Sequence, residues 1–340
     1  LFNEALKARQ VAKHLGTDHT ELYITSRQAL DVIPILPNLF CEPFADSSQI
    51  PTFLLSKLAK KKVTVSLSGD GGDELFGGYN RYILTKQLWD KMSYIPSWGR
   101  SLISSFINLL SPNSWNNLAE PLQALFPKSL QLNNFGDKLY KGSKIINIKQ
   151  FDNFYFNLLS HWNPQDVVLG GSEPKNLFSS EQTHFNIFDN IQKMMVMDTL
   201  SYLPDDILVK VDRASMAASL ESRIPFLDHR LVEFSSKIPQ SMKLRNKQGK
   251  WILREVLYRH VPKELIERPK MGFAVPIGDW LRGSLKDWAE SLLNEKSLKE
   301  NGFFNHIPIR NKWLEHSSGK QNFEHTLWSV LMFQSWLNEQ

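Results

Sequence analysis

Apolar residues recur at helical spacing along most of this chain, and strand-like alternation is confined to its first quarter. From Asn3 to Leu15 the apolar positions Ala5, Leu6, Ala8, Val11, Ala12 and Leu15 form one stripe, and Gly16 stands where a helix would stop. Glu21 to Thr25 predicts a short strand, and Gln49 to Lys61 predicts a second amphipathic helix built on Ile50, Phe53, Leu54 and Leu58. Val63 to Ser68 predicts another strand. Helix and strand in alternation imply an α/β layer with a parallel sheet, whose ligand would lie at the carboxyl ends of the strands.

Beyond Tyr82 the texture changes. No further strand is expected, while Leu, Phe and Trp recur at helical spacing to the end. Residues 110–185 are rich in Asn, Ser, Pro and Lys and predict short helices joined by long loops. Asp205 to Leu220 predicts the clearest helix of the second half, with Ile207, Leu208, Val211, Ala214 and Ala218 on one face and an Asp206–Lys210 pair at i,i+4. The expected organisation is a single functional domain, 1–340. Within it, 1–86 form an α/β core, 87–190 a variable helical insert, and 191–340 a helical part that completes the site.

The strand at Val63 runs into Ser68-Gly69-Asp70-Gly71-Gly72-Asp73-Glu74-Leu75-Phe76-Gly77-Gly78-Tyr79. Glycines bring backbone N–H groups close to a ligand. Carboxylates in the same loop would repel a bare phosphate, unless a divalent cation sits between them. Oxygen donors of this kind suit Mg2+, which takes one or two carboxylates plus substrate phosphates. The loop therefore reads as part of a Mg2+–nucleotide site, with Gly71 and Gly72 lining it. The alternative is a solvated Gly/Asp turn. Other motifs fail: Gly72-x4-Gly77 lacks the lysine and hydroxyl of a Walker A loop, Glu74 stands where a dinucleotide fingerprint needs glycine, and the acid spacing is wrong for an EF-hand.

Composition narrows the picture little. The chain has 340 residues, 42% hydrophobic and 22% charged, ordinary for a globular protein with a sizeable core. One cysteine, Cys41, excludes a disulfide framework and points to a reducing compartment. No apolar run approaches the roughly 18 residues of a membrane helix, no signal peptide is recognisable, and a first residue Leu1 inside a helical pattern suggests that the natural N-terminus lies upstream. The nine histidines include no zinc-type pair, and no Gly-x-Ser-x-Gly elbow is present. The net charge of +5 is uneven. Lys237, Lys243, Arg245, Lys247, Lys250, Arg254, Arg259, Lys263, Arg268 and Lys270 face only Glu255, Glu264 and Glu267, which suits an anion or simply a solvated helix face. Arg223, just past the predicted helix, would reach either a phosphate or a carboxylate. Pro269 and Gly272 flank Lys270, fixing a cation suited to charge developing on phosphorus.

Taken together these segments resemble the synthetase domain of glutamine-dependent asparagine synthetases. The likeness runs through Asn3-Glu4-Ala5, Ala8-Arg9, Leu15-Gly16-Thr17 and His19, then Glu42-Pro43-Phe44-Ala45-Asp46-Ser47-Ser48 and the Ser68–Tyr79 block. It continues through Asp212-Arg213-Ala214-Ser215-Met216, Glu221-Ser222-Arg223-Ile224-Pro225-Phe226-Leu227-Asp228 and Arg268-Pro269-Lys270-Met271-Gly272-Phe273. It is weakest between Gln87 and Phe185. The resemblance implies an adenine-nucleotide α-hydrolase-like sheet of the PP-loop ATP pyrophosphatase type, incomplete at its N-terminus, with a mostly helical C-terminal half. It implies that the aspartate carboxylate attacks the α-phosphorus of ATP to give β-aspartyl-AMP and pyrophosphate. Ammonia, released from glutamine by an N-terminal glutaminase domain, then displaces AMP.

By the same resemblance Ser68 and Gly69 contact the nucleotide, and Asp73 is the Mg2+ carboxylate. Asp70 guides the amine, where some relatives carry the longer glutamate. Lys270 stabilises charge in adenylate formation, and Arg223 and Lys210 lie near the phosphates. The family's first phosphate loop, Ser-Gly-Gly-x-Asp-Ser, is expected upstream of Asn3 and is not among these 340 residues, which are therefore expected not to make asparagine by themselves. A cytoplasmic protein, with no membrane or nucleic-acid partner and compatible with a homodimer, is expected. Three alternatives stay open: an amidotransferase acting on a peptide or surface-glycan precursor, a tRNA-modifying ATP pyrophosphatase suggested by the basic run, and an inactive partner.

Overall fold

The computed structural model describes residues 5–110, 114–115, 117–118, 135–173, 189–267 and 275–340. Two compact units emerge, one from 1–79, 162–174 and 195–340, the other from 80–161 and 175–194.

The first unit holds the glycine-rich loop. Its sheet, among the described residues, is a parallel pair: β1 (Val65–Leu67) beside β2 (Glu221–Arg223), with Val65 opposite Glu221, Ser66 opposite Ser222 and Leu67 opposite Arg223. Each strand is fed by a helix, Gln49–Lys60 before β1 and Val209–Met216 before β2, and the two helices pack on one another as the strands pair. Parallel neighbours need a long crossover, and here more than a hundred residues separate them in sequence. The main core lies under the C-terminal helices. Trp280, Leu281, Leu293, Trp313, Leu327, Trp328 and Leu331 pack with Ile33, Leu36, Ile50 and Phe53 from the N-terminal part. A smaller cluster of Leu75, Phe76 and Ile238, flanked by Phe226, Leu231, Val232, Ile252 and Leu253, sits directly behind the loop.

The second unit is helical as far as it is described. Asn80–Ser93, Ser97–Asn108, Phe135–Ile146 and Phe151–Leu159 are its longer helices. The Trp89 ring sits edge-on to Phe151 at 5.4 Å and tilted on Phe154 at 5.2 Å. The buried Ser104 hydroxyl donates to the Ser143 carbonyl at 3.0 Å, joining two of the helices.

The helices at Ala5–Leu15 and Gln49–Lys60 agree with the periodicity to within a residue or two. Three expectations need correction. Glu21 to Thr25 forms no strand. Its polar groups are engaged locally: Glu21 accepts from Arg9 at 2.7 and 2.6 Å, and Thr25 closes a capping box with Gln28 at the start of Ser26–Leu30. β2 was not expected, because Glu-Ser-Arg carries neither β-branched residues nor an apolar alternation. The helix expected from Asp205 is split. Pro204 offers no amide hydrogen, and a wide-turn π segment covers Leu203–Leu208 before the α-helix Val209–Met216. Met194, Met195 and Met197 are buried, as core packing requires.

Candidate active site

β1 ends at Leu67, and the Ser68 amide still donates to the Arg223 carbonyl at 2.8 Å, so the glycine loop leaves the sheet beside the end of β2. The Ser68 hydroxyl donates to the Asp70 carboxylate in a short bond that folds the loop's first turn upon itself. Gly71 then takes a left-handed conformation, φ 79°, and the chain enters the short helix Gly72–Phe76. A side chain at Gly71 would need that strained φ and would also sit 3.0 Å from the Leu227 Cδ2. Phe226 presses on Gly72 in the same way. The structure thus brings the two most distinctive sequence motifs together: Ser68–Asp73 lies under the Arg223–Leu227 segment.

Asp73 lies in the first turn of that helix, partly exposed, and its Oδ2 lies 3.0 Å from the Lys250 Nζ. Lys250 was counted only as one base in the surface run. Its position is built. The Lys250 amide donates to the Phe76 carbonyl at 3.1 Å, and its backbone is left-handed at φ 55°, unusual for a residue with a Cβ. Its neighbour Gly249 approaches so closely that a Cβ there would stand 2.2 Å from the Gly77 carbonyl oxygen. A Cβ on Gly78 would fall 2.0 Å from the Asp73 Oδ1 and 2.4 Å from the Lys250 Cε. Gly249 is therefore required by close approach to main chain, whereas at Gly78 the obstacles are the ends of the two paired side chains. In sequence the one trace of this arrangement is Gly249 ahead of a helix that begins at Trp251.

Behind Asp73, Glu74 is buried and accepts from the Tyr79 hydroxyl at 2.6 Å. Burial pushes the Glu74 carboxyl above the usual carboxylate range, against the pull of that hydrogen bond, and also pushes the Tyr79 phenol up. Glu74 is thus part of the wall behind the loop, and Tyr79 in turn meets the Tyr202 ring edge-on at 6.0 Å.

The cations expected near the phosphates divide. Arg223, largely exposed, donates from Nε to Glu221 at 2.7 Å, next to the loop's exit from the sheet. Lys210 is buried, and its Nζ lies 2.5 Å from the Asp46 Oδ2. Asp46 also accepts the Ser48 amide and hydroxyl, each at 2.8 Å. Burial alone would raise the Asp46 carboxyl; Lys210 and these hydrogen bonds outweigh it and hold it below the usual aspartate range. Gly69 lies exposed in the loop. Lys270 lies outside the described residues. Just before it, Glu267 accepts from Gln248 at 2.9 and 3.0 Å, from Arg254 at 2.9 Å and from the Tyr258 hydroxyl.

Among the described residues no three Asp, Glu, His or Cys side chains gather into a metal cage. The donor set instead fits a Mg2+ that is carried largely by phosphates. One carboxylate, Asp73, already faces a cation in the form of the Lys250 ammonium. No helix among the described residues is long and apolar enough to cross a membrane.

The sequence model of the family described as asparagine synthase matches residues 1–338. Relatives include asparagine synthetase [glutamine-hydrolyzing] 1 of Bacillus subtilis, 30% identical over 335 residues, covering 98% of this chain and 50% of that protein. A putative asparagine synthetase [glutamine-hydrolyzing] of Mycobacterium tuberculosis is 31% identical over 349 residues, covering 98% of this chain and 48% of that protein. An amidase of Penicillium rubens, chyE, is 32% identical over 112 residues, 31% of this chain and 17% of that protein. The chain spans about half the length of the asparagine synthetases it matches. Matched from its first residue almost to its last, and with motifs that the fold brings side by side, the chain belongs to the asparagine synthase family.

Proposed function

We propose that this chain is the ATP-dependent, amide-forming part of a glutamine-hydrolysing asparagine synthetase, built on a PP-loop ATP pyrophosphatase type of fold. Aspartate would be activated as β-aspartyl-AMP with release of pyrophosphate. Ammonia from a glutaminase domain would then displace AMP. The observation that carries the reading is the loop at the carboxyl end of β1, where Asp73 stands behind a run of closely approached glycines and beside a fixed cation.

On this reading Ser68, Gly69, Gly71 and Gly72 shape the backbone against the nucleotide, and Asp73 would hold Mg2+. That ion, when bound, neutralises charge on the phosphates. Asp70, its carboxylate steadied by the Ser68 hydroxyl, would orient the incoming amine. Arg223 and Lys250 offer cations on the two flanks of the loop, and Lys270 would stabilise charge as the adenylate forms. Lys210 supports the site from behind, through Asp46. A cytoplasmic setting fits this chemistry.

Aspartate-dependent exchange of pyrophosphate into ATP by the full protein tests the assignment. Asp73→Asn should lower that exchange by about a hundredfold or more, the scale of removing a group that stabilises transition-state charge. Pyrophosphate release without aspartate dependence would overturn the asparagine assignment.

A second acceptor is favoured by one finding, the likeness over 112 residues to a protein described as an amidase; the same exchange assay with peptide carboxylates in place of aspartate would reveal it. The basic run that motivates the RNA reading is in part engaged within the protein. Within the basic run Lys243 is buried, Arg245 lies over the Trp251 ring at 4.9 Å, Lys263 lies over Tyr258 at 5.3 Å, and Lys250 and Arg254 meet carboxylates.

A further inference from the structure

The Lys250–Asp73 pair differs from an incidental surface contact in how much backbone is committed to it. Three constraints act together. The Lys250 amide is bonded to the Phe76 carbonyl, within the same short helix that carries Asp73. A side chain on Gly249 would strike the Gly77 backbone, and one on Gly78 would meet the Asp73 carboxylate and the lysine stem. The Arg254 Nε donates to the Gly249 carbonyl at 3.1 Å, tying the turn to the helix that follows. A left-handed backbone at a lysine is kept because the surroundings over-determine it. The outcome is an ammonium placed on one oxygen of the carboxylate assigned to Mg2+.

A dication and an ammonium cannot keep contact with one carboxylate at close range without strong repulsion. A metal arriving alone must therefore either displace Lys250 or share the carboxylate with it, and in both cases nothing offsets the repulsion between the ammonium and the two new positive charges. A metal arriving with ATP brings phosphate oxygens, which give the displaced ammonium another anion. The pair is only partly exposed, with side chains 30% and 25% accessible, so water screens this competition incompletely.

We propose that Lys250 is a resident counter-ion at the metal seat. It suppresses metal binding in the absence of nucleotide, so that magnesium enters with ATP and not ahead of it. Lys250 is thus a positioning residue that sets binding order. This rests on the assignment of Asp73 as the metal ligand, and the experiment separates the two.

Mn2+, a paramagnetic stand-in for Mg2+, is titrated into the full protein without nucleotide, and free Mn2+ is read by electron paramagnetic resonance. Lys250→Met should bind Mn2+ about two- to fivefold more tightly than the wild type, the factor expected from losing a partly exposed competing ion pair. Lys250→Arg, which keeps the charge, should stay near the wild type. With a non-hydrolysable ATP analogue present, the gain from Lys250→Met should vanish or reverse. If Lys250→Met does not fold, Lys250→Gln repeats the measurement. No tightening, in a background where Asp73→Asn still weakens Mn2+ binding, overturns the counter-ion role while leaving the metal seat in place. Mn2+ binding indifferent to Asp73→Asn removes the seat itself, and both readings fall.

Discussion

Two lysine–aspartate pairs stand in the same unit of this protein, alike in chemistry and in the exposure of their carboxylates, and different in the burial of their lysines. Lys210 and Asp46 join a loop residue to the helix before β2, with the lysine side chain only 10% accessible and the carboxylate further held by Ser48. Lys250 and Asp73 face each other at the end of the glycine loop, open enough for solvent and ligand to reach. Burial decides what each pair can do. A buried pair whose remaining oxygens are hydrogen-bonded is a fixture, because breaking it strands a charge away from water. A partly exposed pair contributes little to stability and can exchange partners. The molecule thus uses one as a clamp under the site and leaves the other available to a ligand.

The comparison breaks most visibly at the clamp. Lys210→Met takes the cation from an Asp46 carboxylate that is 22% accessible and should cost about 2–3 kcal/mol at pH 7, the scale of a hydrogen bond to a charged group, measured by urea unfolding. The dependence on pH gives a second check. The Asp46 carboxyl is held below the usual aspartate range in the folded protein, so its contribution to stability is present above the unfolded-chain value and is lost as pH falls through the lowered one. The gap between wild type and Lys210→Met should therefore be full at neutral pH and narrow under acid conditions. A gap that stays constant down to the acid transition would mean that the pair is not what the substitution removes.

The turn that aims Lys250 should respond next. Gly249→Ala forces a methyl group into a space where backbone oxygen already lies 2.2 Å from the Cβ position. The obstacle is main chain and not a flexible side-chain end, so relief requires the Phe76–Gly78 backbone to move. We expect about 2 kcal/mol of destabilisation, within the range for overpacking a tight site. Mn2+ binding by this variant should also lose its sensitivity to residue 250.

How much of this was legible follows from where the chemistry leaves a mark in one dimension. The Ser68–Tyr79 loop announces itself, since few structures need five glycines and three acids in ten positions. The Arg223–Leu227 segment could be singled out by Pro225, and the packing of Phe226 and Leu227 on Gly71 and Gly72 is what joins the two motifs in space. β2 was hidden, because a three-residue strand of Glu, Ser and Arg is made by its neighbour and not by its own propensity. Asp46 was quoted in a motif and given no role, for its partner lies 164 residues away. Lys250 was one basic residue among ten. Only the depth at which Gly249 approaches Gly77 distinguishes it, and depth has no sequence signal.

The smallest effect is the sharpest test of the contrast. Lys250→Met removes an ammonium 3.0 Å from a carboxylate, yet Asp73 keeps access to water, which can solvate the charge left behind. The stem of methionine can follow the same groove past Gly78, so little packing is lost. Unfolding free energy should drop by about 1 kcal/mol or less. Raised salt should erase most of that difference, as screening of an accessible pair demands. The same salt should barely touch the cost of Lys210→Met. A loss for Lys250→Met as large and as salt-resistant as that for the clamp would place both pairs in the same class, and the site would then lack an exchangeable cation.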